Sequence, residues 1–156
     1  MTSRTISFTL NGQAVTVLAP VAINLLTLLR EHMGITSPKF GCAQGNCGAC
    51  TVLLDGEPVN SCMVLAPTVE GRKVTTVEGV GTPEKPHPLQ RALTEHYGAQ
   101  CGFCTPGMVM SGVALLAKNN HPSREEVVAA ITGNVCRCTG YKKIVESVLA
   151  AAETIK

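Results

Sequence analysis

Gly41-Cys42-Ala43-Gln44-Gly45-Asn46-Cys47-Gly48-Ala49-Cys50-Thr51-Val52-Leu53-Leu54-Asp55-Gly56 carries three cysteines within nine residues, and Cys62 follows. Together the four form a C-x4-C-x2-C-x11-C run. From Lys39 to Cys50 no hydrophobic period is visible, and four glycines or alanines separate the cysteines. Small residues between thiols describe a loop that can wrap closely around a bound group. A second set, Cys101, Cys104, Cys136 and Cys138, forms a C-x2-C-x31-C-x-C run.

Four thiolates are the ligand set of a [2Fe–2S] cluster, and the first spacing is that of plant-type ferredoxins. Gly45 and Gly48 are expected to let backbone N–H groups approach the sulfurs, which stabilises the reduced state. Cys62 would supply the fourth ligand from beyond an Asp55-Gly56 hairpin. Zinc also accepts four cysteines, but its structural sites usually pair C-x2-4-C knuckles. The spacing here favours iron–sulfur, with zinc and disulfides as the bland alternatives. In the second set Cys104 precedes a helix beginning at Thr105-Pro106, and helix N-termini stabilise thiolate charge. Arg137 puts a cation between Cys136 and Cys138. Taken alone, this set leaves zinc and redox-disulfide readings open.

Outward from the first loop, Ile6, Phe8 and Leu10 alternate with polar residues, then Asn11-Gly12 precedes Val15 and Val17. Asn-Gly between two period-2 runs predicts a type I′ hairpin. Asn24 is a candidate N-cap for a helix over residues 25–33, with Leu25, Leu29 and Met33 on one face and Gly34 as its stop. Thr51 to Leu54, Val59 to Cys62 and Lys73 to Glu78 read as strands. Gly79 to Pro88, with three prolines and two glycines, reads as a linker. Beyond it four helices are expected: Leu89–Tyr97 closed by Gly98, Thr105–Lys118, one after the Ser123…Glu126 capping box, and Tyr141–Ala152. The organisation is therefore α+β, with residues 1–78 a mixed domain, 79–88 a linker and 89–156 an all-α domain.

The chain has 156 residues, 45% hydrophobic and only 3% aromatic, so its core rests on aliphatic side chains and gains from a metal staple. A net charge of +2 argues against nucleic acid. No apolar run reaches membrane-spanning length, and Met1 to Leu10 lacks a signal-peptide core. This places the cysteines in a reducing cytoplasm, where many cysteines indicate metal.

Gly41 to Gly56, Gln100-Cys101-Gly102-Phe103-Cys104-Thr105-Pro106-Gly107-Met108 and Gly133-Asn134-Val135-Cys136-Arg137-Cys138-Thr139-Gly140-Tyr141 resemble the iron–sulfur subunit of the molybdenum hydroxylases, the xanthine dehydrogenase and aldehyde oxidoreductase family. The resemblance spans essentially the whole chain. It implies a β-grasp ferredoxin-type domain followed by a four-helix [2Fe–2S] domain. It places the cluster on Cys101, Cys104, Cys136 and Cys138 nearest a molybdopterin cofactor, expected in its cytosine dinucleotide form. The cluster on Cys42, Cys47, Cys50 and Cys62 would lie nearer an FAD. Gln100 and Cys138 would contact the pterin, and an amide suits that role by offering both donor and acceptor. The implied partners are a large molybdopterin-binding subunit and a medium FAD-binding subunit, assembled as a dimer of heterotrimers.

The chain has no GxGxxG or Walker loop, so FAD and molybdopterin are expected on the partners. No catalytic constellation stands out. His32, His87, His96 and His121 lack ligand spacing and read as surface or structural. Glu125-Glu126 reads as helix capping, and Met108 and Met110 as core filling. The resulting expectation is a one-electron relay between molybdopterin and FAD. A stand-alone two-cluster ferredoxin is the rival, although such carriers need only the first domain and tend to be acidic.

Overall fold

The structure, a computed structural model, describes residues 2–155. Strands β1 (Ser3–Leu10) and β2 (Gln13–Pro20) form an antiparallel hairpin. Its turn has the expected chemistry: Asn11 and Gly12 both take positive φ, 51° and 83°. Ile6, Phe8 and Leu10 of β1 are buried, as the alternation requires. The Asn24 side chain accepts from Thr27 N at 2.8 Å and starts α1 (Leu25–Thr27). The helix then widens to π winding over Leu28–His32, a departure from the plain α-helix that periodicity predicts. Leu25, Leu28 and Leu29 lie fully buried against the sheet.

Strands β3 (Thr51–Leu54) and β4 (Glu57–Asn60) form the second hairpin, and β5 (Lys73–Thr75) pairs between β1 and β3. The sheet order is β2-β1-β5-β3-β4, with β1 and β5 parallel and the other pairs antiparallel. Two strands are shorter than expected. The chain leaves β4 at Asn60, so Cys62 sits in a 3-10 turn, Ser61–Met63. After Thr75 the backbone turns again over Val77–Gly79, so β5 stops short of Glu78.

The remaining elements are helices: α2 (Pro88–Glu95), α3 (Thr105–Lys118), α4 (Arg124–Ile131) and α5 (Lys142–Thr154). With the mixed sheet they make the chain α+β. His87 caps α2, its Nδ1 accepting from Leu89 N at 3.1 Å, so this half-buried histidine is structural. Burial holds it below its ordinary pKa, which keeps that acceptor available. Ser123 and Glu126 form the anticipated capping box on α4. Cys104 is the N-cap of α3, which begins at Thr105 as expected. Leu89, Met108, Val127, Ile131, Ile144 and Val148 anchor the helical core.

Every residue of β3 is buried, because both of its faces are covered. Val52 and Leu54 join the core under α1, while Leu53 packs on Met110 and Ala114 of α3. Full burial of an aliphatic side chain of this size contributes about 1.5–3 kcal/mol, so this seam welds sheet to helices. Among the described residues, no helix is long and apolar enough to cross a membrane.

Candidate iron–sulfur centres

The first cysteine loop runs from α1 to β3 and is held by its own backbone. Arg30 Nη1 donates to Thr36 O and Pro38 O, both at 2.8 Å, and its guanidinium lies 5.6 Å from the Phe40 ring centroid. Lys39 N donates to Ala49 O at 2.9 Å and closes the loop. Cys42 Sγ accepts from Gln44 N at 3.4 Å and Asn46 N at 3.3 Å, and Cys47 Sγ accepts from Cys42 N at 3.4 Å. Those donations pull the Cys42 pKa down to about 6, the Gln44 N–H first and the Asn46 N–H next. A Cys42 held as thiolate is prepared for a cationic iron centre.

Cys50 and Cys62 are buried against Leu26, at the loop end and in the turn after β4. Ser61 Oγ donates to Cys50 O at 2.7 Å and joins the two segments. Burial, before the contact with Cys62, pushes the Cys50 thiol up to about 11. The N–H donors to sulfur in this loop are Cys42, Gln44 and Asn46, and Gly45, between the last two, takes a φ of 75°. It is Gly41 that keeps space beside a sulfur, since a Cβ there would lie 2.7 Å from Cys47 Sγ.

In the second set, Cys101 lies in the loop after α2, Cys104 caps α3, and Cys136 and Cys138 lie between α4 and α5. The thiols meet in twos: Cys101 with Cys138, and Cys104 with Cys136. The first set shows the same arrangement, Cys42 with Cys47 and Cys50 with Cys62. Burial pushes Cys104 up to about 12. Burial also acts on Cys136, but the Thr139 hydroxyl 3.1 Å away and nearby N–H groups outweigh it and hold that thiol below its ordinary value. The Phe103 N–H, followed by Cys138, lowers Cys101.

Tyr141, to which neither the helix start nor the motif assigned a role at the cysteines, supports this loop directly. Its hydroxyl accepts from Cys136 N at 2.9 Å, and its backbone takes a φ of 67° at the N-cap of α5. Gln100, Cys101 and Cys138 are exposed. Because Cys101 touches Cys138, the three share one exposed patch. His32, His96 and His121 are exposed. Among the described residues, no three His, Cys, Asp or Glu side chains converge as a single ion would require.

The two sets are neighbours. Val135 N, one residue before Cys136, donates to Cys47 O at 2.8 Å. Phe103, between Cys101 and Cys104, reaches the Gly41–Cys47 side of the first loop, its Cε1 3.7 Å from where a Gly41 Cβ would stand. The donor set fits iron–sulfur clusters: soft thiolates in pairs, N–H groups aimed at sulfur, and no side chain at Gly41 to obstruct them.

Comparison with known proteins agrees with that chemistry. A family model described as "2Fe-2S iron-sulfur cluster binding domain" matches residues 8–78, and one described as "[2Fe-2S] binding domain" matches residues 76–149. The chain is 46% identical to the nicotinate dehydrogenase small FeS subunit of Eubacterium barkeri, over 98% of each chain. It is 47% identical to the aldehyde oxidoreductase of Megalodesulfovibrio gigas over 94% of its own length, but spans only 16% of that protein. A crystal structure of quinoline 2-oxidoreductase from Pseudomonas putida 86 contains a chain that superposes with a TM-score of 0.94 at 44% identity, covering 97% of this chain and 95% of that one. The chain therefore belongs to the iron–sulfur small subunits of the molybdenum hydroxylases, a family of oxidoreductase subunits.

Proposed function

We propose that the chain is the electron-transfer subunit of a molybdenum-containing hydroxylase or dehydrogenase, relaying single electrons between a molybdopterin site and FAD on partner subunits. The observation that carries this reading is the adjacency of two four-cysteine sets, tied together by the Val135 N–H···O=C Cys47 bond. Cys42, Cys47, Cys50 and Cys62 would hold one [2Fe–2S] cluster, and Cys101, Cys104, Cys136 and Cys138 the other. When bound, such clusters supply reversible one-electron transfer. The chain's part is to hold, orient and tune them. N–H groups at Cys42 Sγ and Cys47 Sγ stabilise negative charge on one set, and the Thr139 and Tyr141 hydroxyls brace the other. Thiols grouped in twos suit a two-iron centre better than one four-coordinate zinc.

We read residues 1–78 as a β-grasp ferredoxin-type domain, 79–88 as a linker and 89–156 as a four-helix cluster domain. The exposed patch of Gln100, Cys101 and Cys138 faces the pterin, in its cytosine dinucleotide form, on a large subunit. The first set faces a medium, FAD-binding subunit. Exposed Phe40 (44%) and Met63 (63%) lie beside its ligands in sequence, and large apolar side chains left open near a site favour a contact surface. The complex is a cytoplasmic dimer of heterotrimers. Nicotinate and quinoline in the relatives' names point to an N-heterocycle for the large subunit.

Cys101→Ala in the assembled complex tests the relay. We expect the iron content to fall by half and substrate-driven flavin reduction to stop. Turnover through the flavin that survives with that cluster absent would refute it. Purification of the chain alone, red-brown and without larger subunits, would favour the free ferredoxin. A colourless protein with stoichiometric zinc would end the cluster reading.

A further inference from the structure

Asn134 lies at the meeting point of the two cysteine loops and is 3% exposed. Its Nδ2 donates to Gly48 O at 3.0 Å and to Thr51 Oγ1 at 3.3 Å. Its Oδ1 accepts from Ser111 Oγ at 2.7 Å. The amide orientation is unambiguous, because the Gly48 carbonyl can only accept. Thr51 Oγ1 itself donates to Gly48 O at 2.7 Å, which leaves its lone pairs for Asn134. Behind it, Asn134 N donates to Ile131 O at 2.9 Å and fixes the residue to the end of α4.

One side chain thus joins the first cysteine loop, β3 and α3, while its own backbone runs on through Val135 to Cys136. The surrounding backbones touch. A Cβ at Gly107 would stand 2.2 Å from Gly48 O, and one at Gly48 would stand 2.4 Å from Gly133 O. Both ends of its amide are engaged, by Ser111 on one side and Gly48 and Thr51 on the other, so it is a brace between the loops. A buried apolar residue could fill the space, but only a fully paired amide also fixes direction. The loops it joins carry Cys47 on one side and Cys136 on the other.

We infer that Asn134 is a positioning residue that sets the separation and relative orientation of the two clusters, and with them their electronic coupling. The inference rests on the two-cluster reading above. Asn134→Asp is isosteric and keeps the acceptor for Ser111, but it loses both donations and sets a carboxylate oxygen against the Gly48 carbonyl. Gly107→Ala keeps the asparagine but crowds this seam from α3, since a Cβ there would press on the Gly48 carbonyl and stand 2.8 Å from Asn134 Nδ2, so both must give way.

The test uses the iron-loaded complex with its own partner subunits, fully reduced with dithionite and studied by electron paramagnetic resonance. In the native complex we expect two cluster signals with mutual spin–spin splitting. In both variants we expect full iron content, both signals, a diminished splitting and slower transfer between clusters after flash reduction. If N134D does not accumulate, G107A alone decides. Unchanged splitting in folded, fully loaded variant, with only a lower unfolding temperature, would show a merely structural residue and overturn the inference. A native complex lacking two cluster signals would overturn the underlying reading instead.

Discussion

Gly48 shows how much one missing Cβ can matter. Its φ is +66°, and an added Cβ would meet a backbone oxygen at 2.4 Å. Gly12 has a φ of +83°, but nothing lies within 4 Å of its missing Cβ. Ala at either site carries left-handed strain of about 1–2 kcal/mol, and overpacking adds about 1–3 kcal/mol at Gly48 only. Thermal unfolding should therefore show G48A clearly less stable than G12A; equal losses would mean that the second loop yields freely. The thiols invite a second measurement. In the iron-free folded chain, Gln44 and Asn46 N–H groups hold Cys42 at about 6, while burial holds Cys50 at about 11 and Cys104 at about 12. At pH 7 Cys42 is then mainly thiolate and the other two are thiols. Iodoacetamide should label Cys42 before Cys50 and Cys104 by peptide mapping, with a Cys42 rate that declines only as pH falls through about 6. Uniform labelling at pH 7 would contradict that ordering. All eight cysteines were legible from spacing, but the need for a bare Cα at Gly48 was not, because it depends on Asn134, which packs on it from 86 positions away.

Helix ends were legible where capping is local and less so where packing intervenes. The Ser123–Glu126 box depends on residues three apart and appears as expected. Ser123→Ala should lower stability by about 1 kcal/mol in urea unfolding without changing the iron content. The end of α2 came out differently. Sequence alone marks Gly98 as the left-handed stop, yet Tyr97 takes that conformation, at φ 58°. Gly98 N donates to Leu93 O at 2.8 Å and Tyr97 N to Thr94 O at 3.3 Å, the bonds of a Schellman motif with tyrosine at the left-handed position. Gly98 is needed one step later, where a Cβ would lie 2.6 Å from Ser147 Oγ and 2.7 Å from Leu93 Cδ2. The π widening of α1 has no local signature either. Leucines at 25, 28 and 29 fit α or π winding equally well as a buried face.

At the scale of the molecule, the cysteines belong to the cores as much as to the centres. Cys50 and Cys62 pack on Leu26, and Cys136 lies in the helical core with Cys104 against it. With only 3% aromatic residues the cores have little area to spare, so metal binding and folding are coupled. Stripping iron with a chelator under reducing conditions should lower stability by about 5 kcal/mol, which corresponds to roughly 10–20 °C in the melting temperature. Circular dichroism melts before and after reconstitution with iron and sulfide would check this; an unchanged melting temperature would separate the staple from the fold. The two thiol sets, the two Gly-containing hairpins, the amphipathic helices and the change from strand to helix near residue 80 all follow from local spacing and period over a few neighbours. Long-range packing alone shares β3 between sheet and α3, brings the thiols together in twos, and carries Asn134 and Val135 back to Gly48 and Cys47. Those contacts join segments far apart in sequence, where side-chain volume and backbone hydrogen bonding select the partner and no local pattern records it.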